Sequence, residues 1–398
     1  MALALQATSL PGVLSGRAMA RRCGDSARNA RHHELALHQS MDAIQIDGSL
    51  GEGGGQVLRT SLALSLITGK SFRMDHIRAR RPKPGMMPQH LKAVEAAAAV
   101  GRAHTEGASW GSQRLIFEPS GIWPGEFSFE IGTAGATALV LQTVLIPLSF
   151  AGAGSRITLT GGTHVPWSPC FHYLDLHWVR YMSRIGFDIR LEMELAGFYP
   201  QGCGKVHATV QPTRQLSPLC VTERGDFRRI RGISAVANLD SSVAERQRRR
   251  ALSRLAEQSL DATIETVRMP SRFRGTMLLL IAEFESSQCC FYGLGALGKP
   301  AERVADEAVD GMLAFLATDG AIDQYLADQL VLPLSLTAGI SELHTSEVTT
   351  HLVTNAEIVR LFLPVQIEIA GEIGRPGSIR IESGGFLRRR RPEMDTLS

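Results

Sequence analysis

Paired cysteines and long apolar runs are both missing from this sequence. The six cysteines are scattered over 398 residues and form no CxxC pair, so neither a disulfide framework nor a zinc site is predicted. Free thiols fit a reducing compartment, and we expect a cytoplasmic location. The apolar stretches at 137–150 and 277–282 are too short to cross a bilayer. A membrane partner is therefore not expected.

Lysine is even scarcer than cysteine. Five lysines stand among the 42 residues that are Lys or Arg, and none lies in a KxDG sequence, the arrangement that lysine nucleotidyl transferases use. No GxSxG nucleophile elbow occurs either, which argues against a serine hydrolase. A nucleotide-transfer enzyme with this sequence would need another nucleophile. Histidine can serve, because a neutral imidazole attacks phosphorus at physiological pH.

The composition is that of a globular protein with two or three domains. Hydrophobic residues make up 44% and charged residues 20%, which is too apolar for a disordered chain. Residues 1–40 are rich in arginine and alanine and resemble a transit peptide, but a strand begins just after Met41. We therefore expect a disordered or mis-annotated N-terminal extension. The arginine-rich stretch 383–398 is expected to be a basic disordered tail.

A glycine-rich turn follows the first predicted strand, which contains Ile44 and Ile46. Glycines stand at positions 51, 53, 54 and 55, and an apolar helix begins directly after them. The uncovered N–H groups of such a helix start make an anion site, so phosphate is the natural ligand, although a plain turn is the alternative. Glu52 inside the loop would repel phosphate unless a cation lay between them. This suggests Mg²⁺ or Mn²⁺.

A basic loop lies next in the sequence. Arg78, Arg80, Arg81 and Lys83 form a dense positive cluster that prolines keep out of a helix. A solvated loop is the ordinary interpretation of such a cluster. Gln89 and His90 follow at once at a helix start, and this fits a groove for a polyanion better.

One supersecondary pattern recurs three times in the chain. Strand, small-residue turn, apolar helix, strand, turn and second helix occur in the same order from residue 41, from residue 129 and around residues 324–363. The third copy stands apart from the second because a stretch of strands and helices, 223–317, is inserted. We predict an α+β (α/β) fold with three repeated βαβαββ-type units. The large catalytic domain then comprises 41–222 and 318–382, and 223–317 is a smaller inserted α+β domain.

Two familiar motifs overlap in GLGALGKP at 293–300. Gly293, Gly295 and Gly298 match GxGxxG, and Gly293 to Lys299 match GxxxxGK. Pro300 stands where a P-loop needs Ser or Thr for Mg²⁺, and it lacks an N–H group. No βαβ unit is predicted around the turn, so a dinucleotide site is not supported either.

His351 is the candidate nucleophile. It follows the β-branched residues Val348, Thr349 and Thr350, and a histidine in that setting is more often a satisfied structural residue. Its segment, 324–355, also contains the acid–amide pair Asp328 and Gln329 and a long apolar run. We expect the chemistry of the protein to lie at His351.

A family resemblance covers about residues 42–382 and rests on six motifs in order: DGSLGEGGGQVLRTSLALS, IRARRPKPGMMPQHLKA, TGGTHVP, GFYPQGCG, QYLADQLVLP and HLVTN. With these motifs the chain resembles the RNA 3′-terminal phosphate cyclase family. The resemblance implies repeats like the C-terminal domain of a translation initiation factor, plus a smaller inserted domain. It implies ATP-dependent conversion of an RNA 3′-phosphate to a 2′,3′-cyclic phosphate. AMP is attached to an enzyme histidine, passed to the RNA 3′-phosphate and expelled by the 2′-OH.

The same resemblance implies roles for individual residues. It assigns the adenylated nucleophile to His351 and the metal-side carboxylate to Glu52, with Mg²⁺ or Mn²⁺ and ATP as cofactors. Adenine is expected to stack between the Tyr325 ring and Pro166. The other expected ATP contacts are Gln142, Leu326, Ala327, Asp328 and Gln329. The residues expected to line the RNA phosphate site are Arg59, Arg78, Arg81, Gln89 and His90.

An alternative function belongs to a different class. A non-catalytic branch of the family acts as RNA-binding factors in ribosome assembly, but the presence of His351, Arg81 and Glu52 argues against that branch here. The expected partner is RNA with a 3′-terminal phosphate. The extension 1–40, the arginine-rich tail and the bulky His164 and Trp167 beside Pro166 depart from the family pattern. The sequence leaves the oligomeric state open, a homodimer included.

Overall fold

The structure is a computed structural model that describes the backbone of residues 43–389 and the side chains of residues 43–387. Within this part of the chain lie four mixed sheets of four strands each. The extension predicted at 1–40 lies outside the described residues, as does the end of the predicted tail. The tail was expected from residue 383, whereas the last strand continues to Gly384 and a helical turn follows it.

The first sheet consists of β1 (Ile44–Asp47), β2 (Phe72–Asp75), β3 (His104–Glu106) and β4 (Leu115–Glu118), in the order β1-β2-β4-β3. β1 and β2 are parallel, and β4 is antiparallel to both of its neighbours. Helix α1 (Gly55–Thr68) connects β1 to β2, and α2 (Pro88–Gly101) connects β2 to β3. α1 ends where Gly69 takes a left-handed φ of 73° and its N–H bonds Ser65 O, a conformation that favours glycine.

The second sheet has the same arrangement. It consists of β5 (Glu126–Glu130), β6 (Ser155–Gly161), β7 (Ile189–Leu195) and β8 (Gly204–Val210), in the order β5-β6-β8-β7. β5 and β6 are parallel, and β8 is antiparallel to its neighbours. Helix α3 (Thr137–Leu148) connects the parallel pair. Helix α4 begins as Phe171–Tyr173, passes through a π-helical segment at Leu174–Trp178 and ends as Val179–Ile185.

A third sheet has a different order. It consists of β10 (Phe227–Ala237), β11 (Ala262–Arg268), β12 (Gly275–Phe284) and β13 (Gln288–Leu294), in the order β11-β10-β12-β13. Helices α5 (Ser241–Ala256) and α6 (Ala301–Leu316) cover it and share with it a separate cluster of buried apolar residues. The described chain from Ile44 nevertheless forms one compact unit. The boundaries of a separate inserted domain at 223–317 therefore remain a prediction.

The fourth sheet joins strands from both sides of that stretch. Its members are β9 (Cys220–Val221), β14 (Ala338–Thr345), β15 (Gln366–Ala370) and β16 (Gly377–Gly384), in the order β15-β16-β14-β9. β9 and β14 are parallel, and β16 is antiparallel to its neighbours. Helix α7 (Gln324–Ser335) precedes β14, α8 (Thr350–Phe362) connects β14 to β15, and α9 (Phe386–Arg389) follows β16.

Helix packing brings two helix starts together. α8 packs against both α1 and α7, and α1 also packs against α2 and α3. Their facing residues belong to one large apolar cluster that includes Leu58, Leu62, Leu326, Leu330 and Leu352. The first turns of α1 and α8, which follow the glycine loop and Thr349, consequently lie side by side.

The GxxxxGK match at 293–299 is a structural turn. Lys299 Nζ donates to Leu294 O at 2.7 Å and to Glu307 Oε2 at 2.6 Å, and Pro300 caps the start of α6. The lysine that a P-loop would direct at phosphate is thus held by a carboxylate of its own helix. This agrees with rejection of the P-loop interpretation from Pro300 alone.

Candidate active site

A cavity of about 1060 Å³ opens where the starts of α1 and α8 meet. It is at the upper end of the range typical of small-molecule sites. The glycine loop, the basic loop, α3, α6, α7 and the turns at 167–169 and 374–376 complete its walls. Among the residues predicted from the sequence, those that line it are Glu52, Arg59, Arg78, Arg81, Gln89, His90, Gln142, Tyr325, Asp328, Gln329 and His351.

The glycine loop forms a cradle that a side chain would fill. Gly54 precedes α1 without any side-chain cap, so the first N–H groups of the helix are open to a ligand. A Cβ atom on Gly55 would lie 2.3 Å from His90 Nε2 and 2.8 Å from an Arg59 nitrogen. A Cβ on Gly54 would lie 3.1 Å from Arg81 Nη2. Glycine at these positions therefore allows two arginines and a histidine to approach the helix start.

His351 stands in the first turn of α8, which Thr349 caps by accepting a hydrogen bond from Leu352 N at 3.0 Å. Its Nδ1 lies 2.6 Å from Gln56 Oε1, and its Nε2 lies 3.3 Å from Glu52 Oε2. The side chain is 41% exposed, on the cavity side. Burial lowers the pKa of His351 below its usual 6.5; Glu52 opposes this shift, and Arg59 and Arg81 add to it.

Gln56 connects His351 to a second acidic group. Besides accepting from His351, it hydrogen-bonds the Asp328 side chain. The Gln56 oxygen faces Nδ1 of His351, and an amide oxygen can only accept a hydrogen bond. That arrangement places the proton of a neutral His351 on Nδ1 and leaves the Nε2 lone pair directed into the cavity.

Asp328 and Arg59 are two partly buried ionisable side chains that interact with each other. Burial raises the pKa of Asp328 to about 8, and the attraction of Arg59 only partly offsets this. Burial likewise lowers the pKa of Arg59 to about 10, with Asp328 opposing the shift. In both groups the loss of water has the larger effect. At neutral pH Arg59 is charged while Asp328 is largely protonated, so the cavity is suited to an anion that supplies the counter-charge of Arg59.

Asn355 ties three helices together beneath the cavity. Thr60 Oγ1 on α1 donates to Asn355 Oδ1 on α8 at 2.7 Å. The amide nitrogen of Asn355 donates to the backbone O of Asp328 on α7 at 2.9 Å. Both polar ends of one buried side chain are thereby used, and the helices that supply Gln56, Asp328 and His351 are cross-linked.

The basic loop contributes its arginines in different ways. Arg81 Nη2 donates to Glu52 Oε2 at 3.2 Å, at the cavity wall. Arg78, with a positive φ of 54°, donates to the carbonyls of Lys83 and Gly85 at 2.8 and 2.7 Å and so braces the loop itself. Arg80 reaches Gly51 O at 3.4 Å. Arg81 is therefore the arginine of this loop best placed to meet a ligand.

His90 and Gln89 complete that wall from the start of α2. Burial lowers the pKa of His90 to about 3, with Arg59 and Arg78 adding to the shift. His90 Nδ1 accepts from Met87 N at 3.1 Å, so the neutral ring has its proton on Nε2, facing the glycine loop. Gln89 Oε1 accepts from Ala136 N at 3.3 Å. His90 is thus a neutral donor directed at the cradle.

The opposite wall is formed by amides and aromatic rings. Gln142 donates to Gln329 Oε1 at 2.6 Å, and Gln329 donates to Tyr325 O at 2.7 Å. The Tyr325 ring is 55% exposed and meets Phe291 edge to face at 6.5 Å. An exposed aromatic face beside amide groups is suited to a planar heterocycle.

Three of the predicted ATP contacts do not line the cavity. Leu326 and Ala327 are fully buried in the core behind α7. Pro166 is exposed, but the residues of its turn that line the cavity are Trp167, Ser168 and Pro169. Their role in ATP binding stays a prediction.

Sequence reasoning did not single out several lining residues. Gln56 and Asn355 lie inside recognised motifs, and the position of Gln56 directly after the glycine loop was the available indication. Glu347 and Arg375, which come from turns beside α8, line the cavity without any motif. Nothing in the local sequence indicates that these turns meet the glycine loop.

The part of the chain that the structure describes contains neither a cluster of metal-ligating side chains nor a membrane-length apolar helix. Within residues 43–387, no three His, Cys, Asp or Glu side chains are close enough to hold a metal ion by themselves. Among the described helices, none has the length and apolar character needed to cross a membrane.

This chain is similar to one family of known proteins over most of its length. The sequence model of the RNA 3′-terminal phosphate cyclase family matches residues 50–369. The relatives that bear that name include the following three. The Nostoc punctiforme protein is 41% identical over 333 residues, 82% of this chain and 96% of the relative. The Ralstonia nicotianae protein is 44% identical over 337 residues, which are 84% of this chain and 95% of that relative. The Pyrobaculum neutrophilum protein is 40% identical over 346 residues, which are 86% of this chain and 99% of that relative. Because the match extends over most of this chain and nearly all of each relative, the protein belongs to the RNA 3′-terminal phosphate cyclase family of enzymes.

Proposed function

We propose that this protein uses ATP to convert the 3′-terminal phosphate of RNA into a 2′,3′-cyclic phosphate, with His351 as the residue that accepts AMP. The observation that supports it best is the setting of His351. Its Nδ1 is held by Gln56 at 2.6 Å while its Nε2 faces a cavity with a glycine cradle and two arginines. The names of the relatives give the reaction class.

In the first step, His351 acts as a neutral nucleophile. Its lowered pKa keeps the ring unprotonated at neutral pH, and donation from Nδ1 to Gln56 leaves Nε2 to attack the α-phosphorus of ATP. A P–N bond forms, the P–O bond to the β-phosphate breaks, and pyrophosphate leaves with the electron pair. Glu52 Oε2 lies 3.3 Å from Nε2 and has to move aside before the α-phosphorus can approach that nitrogen.

Two further steps complete the reaction, and the first of them returns His351 to its free form. An oxygen of the RNA 3′-phosphate attacks the phosphorus held on Nε2, the P–N bond breaks, and the imidazole is the leaving group. The terminal 2′-OH then attacks the RNA phosphorus and AMP leaves. Arg59 and Arg81 would neutralise the phosphates that meet in this cavity, since charged hydrogen bonds are strongest where water is excluded.

Glu52 is the residue that would hold a divalent cation. It lies between Arg81 and His351, and a single carboxylate is enough for Mg²⁺ or Mn²⁺ when substrate phosphates supply the other ligands. When bound, the cation would neutralise charge on the departing pyrophosphate. A Glu52 carboxylate that held the cation would no longer be directed at His351 Nε2.

The adenine of ATP is assigned to the wall opposite the basic loop. Tyr325 offers an exposed ring face, and Gln142, Gln329 and Asp328 offer polar groups around it. Pro166, which is exposed in the turn before Trp167, is the residue expected at the other face of the base.

We also infer three repeated units and one insertion in the architecture. Three sheets share the strand order first, second, fourth, third, with a parallel first pair and helices after the first and second strands. In the last of them, β9 is separated from α7 and β14 by the differently ordered sheet. This supports a large domain of 41–222 and 318–382, with 223–317 inserted.

The decisive experiment is self-labelling. Purified full-length protein is incubated with ATP labelled at the α-phosphate and Mg²⁺ or Mn²⁺, denatured, and examined for retained label. A phosphoramidate at His351 should survive alkali and be lost in acid. His351→Ala should abolish the label, whereas His104→Ala, at an exposed histidine in β3, should retain it. Stoichiometric RNA binding with no label on the wild-type protein would instead favour a non-catalytic RNA-binding factor.

A further inference from the structure

Trp167 has an unusual conformation at the cavity rim. It is 97% exposed, more than any other described aromatic side chain, and its φ is +66°. It follows Pro166 in a turn, at the position where a left-handed residue is usually glycine or asparagine. A bulky residue in this conformation is strained. Because the indole is exposed, it also lacks the stabilisation that a buried aromatic side chain provides. The fold therefore tolerates two unfavourable features at one residue.

The turn that presents Trp167 is held firmly on both sides. The Tyr292 hydroxyl donates to Ser168 O at 2.7 Å. On the other side, the ring of His164 stacks on Phe198 at 5.1 Å. Trp167 itself has no hydrogen-bond, ring-stacking or cation–π partner among the residues that the structure describes. The turn is thus fixed by its neighbours, whereas the indole that it presents makes no structural contact of its own.

Its surroundings are those of a nucleic-acid site. Trp167 lines the same cavity as Arg59, Arg81 and His351. Single-stranded RNA ends are recognised by stacking of their unpaired bases on aromatic side chains, next to basic groups that hold the phosphates. We propose that Trp167 is a stacking platform for the base of the 3′-terminal nucleotide of the RNA substrate. This proposal rests on the proposed function, because it takes the RNA 3′-phosphate to lie near His351.

The position of the ring favours the RNA base over the adenine of ATP. A nucleotide cofactor is normally enclosed on most sides by its pocket, and Tyr325, which is 55% exposed and lies in a wall with Phe291 and amide side chains, is more enclosed than Trp167. Trp167 stands outside that wall with almost its whole surface in solvent. A polymer end that enters the cavity with its phosphate first leaves its terminal base at the rim, where this ring is.

The test compares two RNAs on the full-length protein. Both are short oligonucleotides with a 3′-phosphate and a fluorescent label at the 5′ end, and in one the terminal ribose lacks its base. Fluorescence anisotropy gives the dissociation constant of each. On the wild-type protein, removal of the base should weaken binding about 5- to 150-fold, the usual effect of one stacked base. Trp167→Ala should weaken binding of the intact RNA by a similar factor and make it insensitive to base removal.

Three further variants make the result unambiguous. Trp167→Phe should retain most of the base dependence, because a smaller ring still stacks. Trp167→Gly, which suits the positive φ, replaces the alanine variant if the latter folds poorly. Trp110→Ala removes another exposed tryptophan, 67% exposed and outside the cavity, and should bind both RNAs like the wild-type protein.

Two outcomes would overturn the proposal. In one, the wild-type protein binds both RNAs equally. In the other, Trp167→Ala keeps the preference for the base-bearing RNA while its self-labelling needs more ATP, which would assign the ring to adenine. The proposed function has its own readout in the same samples, because self-labelling of the wild-type protein requires no RNA. Absent labelling with base-dependent RNA binding would refute the reaction and leave the stacking platform in place.

Discussion

Substitution of Asp328 by asparagine tests the electrostatic description of the cavity. Burial raises the pKa of this carboxyl from 3.8 to about 8 even though Arg59 is beside it. At neutral pH the group is then largely protonated, and asparagine is a close isostere of the protonated acid. If burial did not dominate, Asp328 would be an ionised partner of Arg59 and the same substitution would leave that arginine without its counter-charge.

The two cases predict opposite trends with pH. Because the folded pKa is raised, the folded protein binds this proton more tightly than the unfolded chain, so the free energy of unfolding falls as the pH rises from about 4 towards 8. Each pH unit in that window lowers it by up to about 1.4 kcal/mol. Water in the cavity reaches part of the carboxyl and reduces the effect, so we expect about 2–4 kcal/mol between about pH 4.5 and 7.5. Asp328→Asn lacks this loss and should become the more stable protein by that amount.

Urea unfolding of both proteins across this pH range, without nucleotide, measures the difference directly. Other titrating groups are common to both and cancel in the comparison. Asp261→Asn, at an exposed aspartate outside the cavity, is the matched control, and its difference from the wild-type protein should stay within about 0.5 kcal/mol. If Asp328→Asn instead becomes progressively less stable than the wild-type protein as the pH rises, the carboxylate is ionised and the argument from burial is wrong.

Four other predictions concern the reaction. Tyr325→Ala should raise the ATP concentration needed for self-labelling much more than Tyr325→Phe, because the ring face makes the contact; equal losses would contradict stacking. Arg81→Ala should retain much of its self-labelling but lose about 1.5–3 kcal/mol of RNA phosphate binding, with a salt dependence about one unit less steep; failure to self-label would assign Arg81 to the triphosphate. Gln56→Met should slow single-turnover labelling about tenfold, the effect of one lost hydrogen bond of about 1.4 kcal/mol, and an unchanged rate would exclude control of the tautomer by Gln56. The acid limb of kcat/KM for ATP should lie below pH 6.5, since the His351 pKa is lowered and the rate falls only when the free enzyme protonates; a limb above that value would contradict a buried neutral histidine.

The sequence predicts the local elements well because their patterns are local. The strand at Ile44 and Ile46, the helix after the glycine loop and the strands and helices of 223–317 all occur where their periodicity indicates. The mixed α/β character follows from the same patterns. The tail boundary is less well predicted, because pairing of Ser383 and Gly384 with β14 is a tertiary contact that arginine-rich composition cannot reveal.

In the site, too, the features that local motifs encode are predicted and those that depend on tertiary contacts are not. Residues within motifs, such as Glu52, Arg81 and His351, lie together in the cavity as the motifs indicate. The Gln56 bridge between His351 and Asp328 depends on where α1, α7 and α8 cross, and the exposure of Trp167 depends on the backbone of one turn. Neither is encoded by spacing along the chain. The pKa of Asp328 is likewise a property of the enclosure and not of the QYLADQ motif.

The amide of Asn355 has a consequence for helix register. α1, α7 and α8 meet largely through leucine, isoleucine and valine side chains, and a one-turn slide of about 5.4 Å would preserve much of that apolar contact. It would not preserve the bonds from Thr60 and to the backbone of Asp328, and each polar group left unpaired in the core costs about 1–3 kcal/mol. Asn355 therefore selects one axial alignment of the three helices out of several that apolar packing alone would permit. His351 lies one turn earlier on the same face of α8, so this alignment also sets the height of the imidazole above the glycine loop.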